Sequence, residues 1–238
     1  MLILALESSA KPASVAVSLD GQLLGHYFQN NGLTHSRTLL AMVESLLKNL
    51  DISINDTDLI AVSRGPGSFT GVRIGVSAAK GLAWGINKPV CGVSTLEAIA
   101  YQTPVPGMLI CPVMDARRNQ VYNALFEWRD SAPVRLCADR AIALEQLAGE
   151  LRERFLHAAS AAPSKSPMLL LVGDGAEISY DYLSGIGLPC KMAPTLMRRQ
   201  TAYGVALAAC HYESIPAIEL EPSYLRPSQA ERERASAV

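Results

Sequence analysis

The 238-residue sequence is short of charge: Asp, Glu, Lys and Arg make up 18% of it and the formal net charge is −1. A protein that grips nucleic acid unaided carries a basic stripe. None is visible, so any such role needs a partner. The five cysteines (Cys91, Cys111, Cys137, Cys190, Cys210) are odd in number and form no CxxC pair. That excludes a disulfide framework and predicts reduced, mostly packing cysteines in a cytoplasmic protein. The four histidines, His26, His35, His157 and His211, form no HxxxH or HExxH pair. A zinc or iron site would have to converge from isolated residues, and no metal site is expected. No Cys–His or Ser–His–Asp set stands at local spacing. Long apolar runs are missing too, because Arg73 and Lys80 break the best candidate for a membrane span. Met1-Leu2-Ile3-Leu4 lacks a basic n-region and Glu7 cuts it short, so no signal peptide is expected.

What is there is a core. Apolar residues are 49% of the chain, which predicts a globular protein with one large domain or two compact lobes. The pattern predicts strands over 2–6, 14–19 and 23–29, with Asp20-Gly21 as a hairpin turn. A helix is expected over 36–50, where Leu39, Val43, Leu46 and Leu50 form one row widened by Leu40 and Leu47. A short strand over 60–63 leads through a glycine loop into a helix ending near 86. A strand over 90–93 follows, then Ser94-Thr95-Leu96-Glu97 reads as a capping box. Pro104-Val105-Pro106-Gly107 punctuates the chain and the pattern restarts. Strands over 108–114 and 120–128, a helix over 143–156, a small-residue mobile loop over 158–167, a strand over 169–172 and a helix over 201–212 are expected. The chain therefore divides into two α/β halves, 1–104 and 105–238, without a repeat in sequence.

The loop SRGPGSFTGVRIG has the strand–glycine–helix layout of a phosphate cradle. It lacks the Lys and Ser/Thr that a P-loop needs after its last glycine, and its spacing does not fit GxGxxG. No GxSxG surrounds Ser68. The residues favour a tight turn with Ser68 or Thr70 near the helix N-cap. The helix that follows carries only two charges, Arg73 and Lys80. Gly71, Gly75 and Ala79 form one row of small residues, and Ala78, Leu82 and Ile86 another. Such a helix must be covered on more than one side, either by another protein or by the 36–50 helix of its own lobe. Glu7-Ser8-Ser9, Asp115 and Gly173-Asp174-Gly175 end strands, where they could face a phosphate or metal or simply form turns. His35 precedes a helix and reads as a cap or interface residue.

These motifs resemble the TsaB (YeaZ) family across nearly the full length. The segments that carry the resemblance are ILALESSAKPASVAVSLDG, THSRTLLAMVESLL, SRGPGSFTGVRIGVSAAKGLA, PVMDARRNQVYNALF, VGDGAE and PSYLRP. The resemblance implies an α/β actin-like, sugar-kinase/Hsp70-type (ASKHA) fold of two similar lobes, each a mixed sheet flanked by helices. The last segment is expected to pack back on the first lobe. It also implies a non-catalytic dimerisation subunit, a degenerate paralogue of the catalytic subunit TsaD without that subunit's metal-binding histidine pair. The complex transfers a threonylcarbamoyl group to the adenosine beside the anticodon of ANN-decoding tRNAs. Expected partners are TsaD, the ATPase subunit TsaE, a second copy of this chain when TsaD is missing, and tRNA only through the complex. Cofactors of its own are not expected, ATP and metal being used by the partner subunits.

By the same resemblance, the partner-binding residues are His35, Leu39, Val43 and Leu46 on one helix, with Gly71, Gly75, Ala78 and Leu82 on the other. A vestigial nucleotide site would comprise Glu7, Ser8, Asp115, Gly173, Asp174 and Gly175, although many relatives have aspartate where Glu7 stands. The 158–167 loop matches no family motif. Two enzymatic readings compete: a small kinase or ATPase built on the same strand-end residues, and a peptidase, for which the sequence offers least.

Overall fold

The computed structural model describes residues 1–161 and 168–226, with side chains omitted for 158–161. Strands β1 (Leu2–Glu7), β2 (Ala13–Leu19) and β3 (Gln22–Gln29) form an antiparallel meander. Asp20 and Gly21 both adopt positive φ (49° and 80°), as a two-residue turn between right-twisted strands requires. Two parallel strands extend this sheet, β4 (Leu59–Gly65) beside β1 and β5 (Val90–Ser94) beside β4, in the order β3-β2-β1-β4-β5. The central strands are apolar without interruption because both faces are covered. Leu4, Leu6, Val15, Val17, Ile60 and Val62 point to helices α1 (His35–Asn49) and α2 (Phe69–Gly85). Ile3, Ala5, Ala16, Ala61, Cys91 and Val93 point the other way.

Chain 109–192 repeats the plan. Strands β6 (Leu109–Asp115), β7 (Gln120–Asn123), β10 (Arg140–Ala143), β11 (Leu169–Val172) and β12 (Cys190–Met192) take the order β10-β7-β6-β11-β12, with the same alternation of antiparallel and parallel pairs. Helix α4 (Leu144–Ala161) stands where α1 stands, and α5 (Ala176–Gly185) where α2 stands. Several expectations change here. The strand expected over 120–128 is broken at Ala124-Leu125, and its second part, β8 (Phe126–Arg129), pairs with β9 (Ala132–Arg135). Asn123 fills the break by donating to Pro112 O and Ala124 O. Strands β9, β10 and β12 and helix α5 were not anticipated, being short and without long apolar periods. Helix α4 runs through 158–161, where a loop was expected; the rest of that expected loop, 162–167, lies outside the described residues.

The two sheets are joined by a reciprocal exchange of helices. Helix α3 (Thr95–Tyr101) follows β5 but turns Leu96, Ile99 and Ala100 onto the second sheet, against Ile110, Met114, Phe126 and Val172. Helix α6 (Ala202–Ala209) follows the second sheet but covers the first with Val205, Ala206 and Ala209. A partly buried polar staple accompanies them. Glu97 of α3 accepts from Arg135 Nη2 at 2.6 Å and from Tyr212 Oη at 2.8 Å, while Arg135 Nη1 reaches Asp139 at 2.5 Å. The capping box is thus only half formed: Ser94 Oγ accepts from Glu97 N, but the Glu97 carboxylate is taken by the other lobe. The chain then returns along the first lobe, with an isolated bridge between Ile215 and Val90 and Leu220 buried in the α1/α2 core.

Candidate functional sites: a two-helix groove and an interlobe cleft

The glycine loop resolves into a helix start. Ser68 is the N-cap of α2, its Oγ accepting from Gly71 N at 3.3 Å, which satisfies one of the donors left free at a helix N-terminus. The first two small residues of α2 then press on β1. A Cβ at Gly71 would stand 2.1 Å from Ser8 O, and one at Gly75 2.4 Å from Ser8 Oγ. Ser8 Oγ in turn donates to Gly71 O at 2.9 Å. These glycines exist so that α2 can lie on the sheet.

That position divides the expected docking residues. Gly71 and Gly75 are buried within the chain's own lobe, as are Leu39, Val43 and Leu46. They pack α1 and α2 down, and of them Leu39 also lines the groove between the two helices. His35, Ala78 and Leu82 remain partly exposed. Between the helices runs a shallow groove of about 420 Å³ floored by Leu39, Leu40, Ile74 and Ala78 and rimmed by His35, Ser36, Arg73 and Ser77. Leu40 is 49% exposed and Trp84, further along α2, 84%. The outward row of α2 is Arg73, Ser77, Gly81 and Gly85, two positions on from Gly71 and Gly75 and so nearly opposite them round the helix. A Cβ at Gly81 or Gly85 would meet nothing within 4 Å. Leu40, Ile74, Ser77, Gly81 and Trp84, on this outward side, were not among the expected docking residues. The signal that could have found Gly81 and Gly85 is a second four-spaced small row carrying Arg73.

The strand ends meet at a cleft of about 830 Å³ between the lobes. Asp115, which ends β6, and Asp174, after β11, both line it, together with Ser9, Lys11 and Ser68. Glu7 and Ser8 do not: both are sealed beneath the β4–α2 turn, at 1% and 0% exposure. Glu7 Oε1 accepts from Ser9 N at 2.6 Å, whereas Oε2 has no partner. Burial raises the Glu7 carboxyl above its ordinary range, opposed by the hydrogen bond from Ser9 N. Asp174 keeps an exposed edge on the cleft and accepts from Gln200 Nε2 at 3.1 Å; its carboxyl is raised by desolvation, with Asp115 adding to the effect. Gly173 and Gly175 are buried turn residues. A Cβ would stand 2.1 Å from Val113 O at the first and 2.9 Å from Met114 C at the second, so both glycines serve the approach of β11 and β6.

The last described segment, which was expected only to pack back on the first lobe, forms one wall of this cleft. Residues 223–226 cross its mouth, with Ser223 N donating to Arg64 O at 2.7 Å and the Tyr224 ring stacked on Phe69 at 4.7 Å. The histidines stay apart: His26 shares a 2.6 Å hydrogen bond with Ser14 Oγ, His35 contacts Lys11 O, and His211 stacks on Tyr101. Among the described residues, no group of three or more His, Cys, Asp or Glu could hold a metal ion, and no helix is long and apolar enough to cross a membrane.

With this geometry in hand, the chain was compared with known proteins. A family model described as "TsaD: tRNA N6-adenosine threonylcarbamoyltransferase" matches residues 30–197. The tRNA threonylcarbamoyladenosine biosynthesis protein TsaB of Haemophilus influenzae is 31% identical over 245 aligned residues, covering 95% of this chain and 94% of its own. The TsaB protein of Bacillus subtilis is 35% identical over 154 residues, 65% of this chain and 67% of its own. Among solved structures, YeaZ from Pseudomonas aeruginosa superposes with a TM-score of 0.74 at 24% identity, covering 94% of this chain and 99% of that one. The doubled sheet plan is that of the two-lobed actin-like (ASKHA) fold.

Proposed function

Because this chain belongs to the TsaB (YeaZ) family and so to tRNA threonylcarbamoyladenosine biosynthesis, we propose that it is the non-catalytic subunit of the modifying complex. It binds the catalytic subunit TsaD through the exposed side of α1 and α2 and holds it in an active arrangement. ATP and metal chemistry stay with TsaD and with TsaE, tRNA is reached through the complex in the cytoplasm, and two copies of this chain pair through the same side when TsaD is absent.

The observation that carries this reading is the outward row of α2. A glycine inside a helix costs about 1 kcal/mol relative to alanine. Gly71 and Gly75 offset that cost by letting α2 reach the sheet. Gly81 has open space where its Cβ would be and relieves no contact in the chain. A second helix lying across Ser77, Gly81 and Gly85, with Leu40 and Trp84 as apolar flanks, gives those glycines a use. The match to a transferase model supports the same arrangement, since a partner of like fold presents a like face and two like faces pair about a twofold axis. The kinase-like alternative rests on the cleft, and the sealing of Glu7 and Ser8 beneath it weighs against that alternative.

The test is Leu40→Glu combined with Ser77→Glu in the full chain, two exposed positions that the core does not use. Affinity for TsaD is expected to fall about 100-fold, ~2.7 kcal/mol, and tRNA modification in the reconstituted system to fail, while thermal unfolding stays at the wild-type midpoint. A folded variant that still pairs with TsaD at wild-type affinity overturns the assignment.

A further inference from the structure

The segment that crosses the cleft is seated too closely to be incidental. Leu220 is anchored in the first lobe's core, and Lys80 Nζ donates to the carbonyls of Ile218 and Leu220 at 3.0 Å each. Two glycines make room for the path. A Cβ at Gly92 would stand 2.8 Å from Leu220 Cδ1, and one at Gly65 would stand 2.3 Å from Ser223 O. Gly65 also has φ of +119°, a conformation that a side chain would resist. At its far end the segment reaches the second lobe, where Arg226 Nη1 donates to Ala116 O. It therefore leaves the core of one lobe, crosses the cleft and is tied to the other.

The middle of the strap is fixed by one stack of three groups. The Tyr224 ring lies on Phe69 at 4.7 Å with 27° between the planes, and the Arg73 guanidinium lies 4.5 Å from the centroid of the same Phe69 ring. Phe69 opens α2 and Arg73 is one turn along it, at the rim of the α1/α2 groove. Arg73 is exposed, so water serves its donors while the guanidinium rests on the ring. A subunit seated in the groove removes that water, and the guanidinium then has to find acceptors on the incoming surface, away from Phe69.

We infer that the segment 220–226 is a strap that closes the interlobe cleft, latched by Tyr224 on Phe69, and that docking at the α1/α2 groove releases it by drawing Arg73 off the same ring. This rests on the docking reading above and adds to it a link between the groove and the cleft. Release of the strap widens the cleft beside Asp115, Asp174 and Ser9, which line it together with 223–226.

Amide hydrogen exchange on the full chain, alone and with purified TsaD, tests both steps. In the free chain, amides of 223–226 and of the 65–71 turn are expected to be protected. Tyr224→Ala should raise their exchange at least tenfold and leave the β1 and β2 amides unchanged, whereas Tyr224→Phe, which keeps the stack, should match wild type. On addition of TsaD to wild type, protection should appear at 36–45 and 73–81 while exchange at 223–226 rises at least tenfold. Protection at the groove with an unchanged strap overturns the link and leaves docking standing. No protection at the groove overturns docking and the link with it. A Tyr224→Ala chain whose 223–226 amides exchange as in wild type overturns the latch itself.

Discussion

The two lobes share one strand order and differ in what fills the ends of the strands. In each, the first strand stops at a carboxylate whose oxygen accepts from the backbone N–H two residues on: Glu7 from Ser9 N at 2.6 Å, Asp115 from Arg117 N at 2.7 Å. In the first lobe the seven-residue β4 and the long α2 close over that carboxylate and seal it. In the second, β11 has four residues and α5 ten, and Asp115 stays open beside Arg117 at 3.6 Å. The same plan thus yields one lobe whose strand ends are packed shut and whose helices face outward, and another whose strand ends still line a cleft. Duplicated architecture leaves the backbone alike, and the side chains at equivalent turns decide what each copy can do.

The sharpest break of that comparison lies at the first turn of α2. Gly71→Ala places a methyl 2.1 Å from Ser8 O, where neither the strand nor the helix can yield cheaply. A loss of about 2–4 kcal/mol is expected, read as a drop in the denaturation midpoint. Gly175→Ala opens the equivalent helix, and its methyl meets Met114 C at 2.9 Å, so a smaller loss is expected there. Equal losses at the two positions would mean that the tight seat of α2 is not what separates the lobes.

The sealed strand-end carboxylate gives a second test, with pH as its axis. Burial raises the Glu7 carboxyl above its usual 4.5, so the folded chain holds that proton more tightly than the unfolded one does. Its contribution is complete below that usual value and is lost as pH rises through the raised one, because the folded state then has to release a proton or bury a charge. Glu7→Gln keeps an acceptor for Ser9 N and cannot ionise. It should match wild type at pH 4 and be the more stable of the two at pH 8. Chemical denaturation at several pH values reads the difference, and a Glu7→Gln curve parallel to wild type would show that the fold does not raise the Glu7 carboxyl.

How far the sequence could be read follows the same division. The first lobe was legible because its elements are long and strongly patterned: the Asp20-Gly21 turn, the α1 row through Leu39, Val43 and Leu46, and the Ser68 cap all stand where the residues placed them. In the second lobe, β10 and β12 have four and three residues, too short for a period to declare itself. The break at Ala124-Leu125 is itself apolar, and the one polar residue beside it, Asn123, gives no turn signal strong enough to end a strand. The expected docking residues mix inward and outward positions of α2 because small residues on a helix have two causes. Gly71 and Gly75 are small for contact inside the lobe, and Gly81 and Gly85 face out, a distinction that needs the position of Ser8. The strap was quoted as a motif, PSYLRP, but nothing local ties Tyr224 to Phe69 across more than a hundred and fifty residues.

The finest distinction sets Gly81 on α2 against Gly149 on α4. Both are exposed residues inside helices, and a Cβ at either meets nothing within 4 Å. Alanine at each should therefore stabilise the free chain alike, by about 0.5–1 kcal/mol through helix propensity, seen as a rise of roughly 1–4 °C in the midpoint for a chain of this size. Their effects on pairing should part. At Gly149→Ala the affinity for TsaD stays at the wild-type value. At Gly81→Ala the methyl stands where another helix backbone is expected to lie, so affinity falls several-fold while the same thermal gain is kept. A variant that is more stable and yet pairs more weakly cannot be explained by damage to the fold. If Gly81→Ala pairs as wild type does, the partner does not approach along this row, and the groove beside Leu40 would have to carry the contact alone.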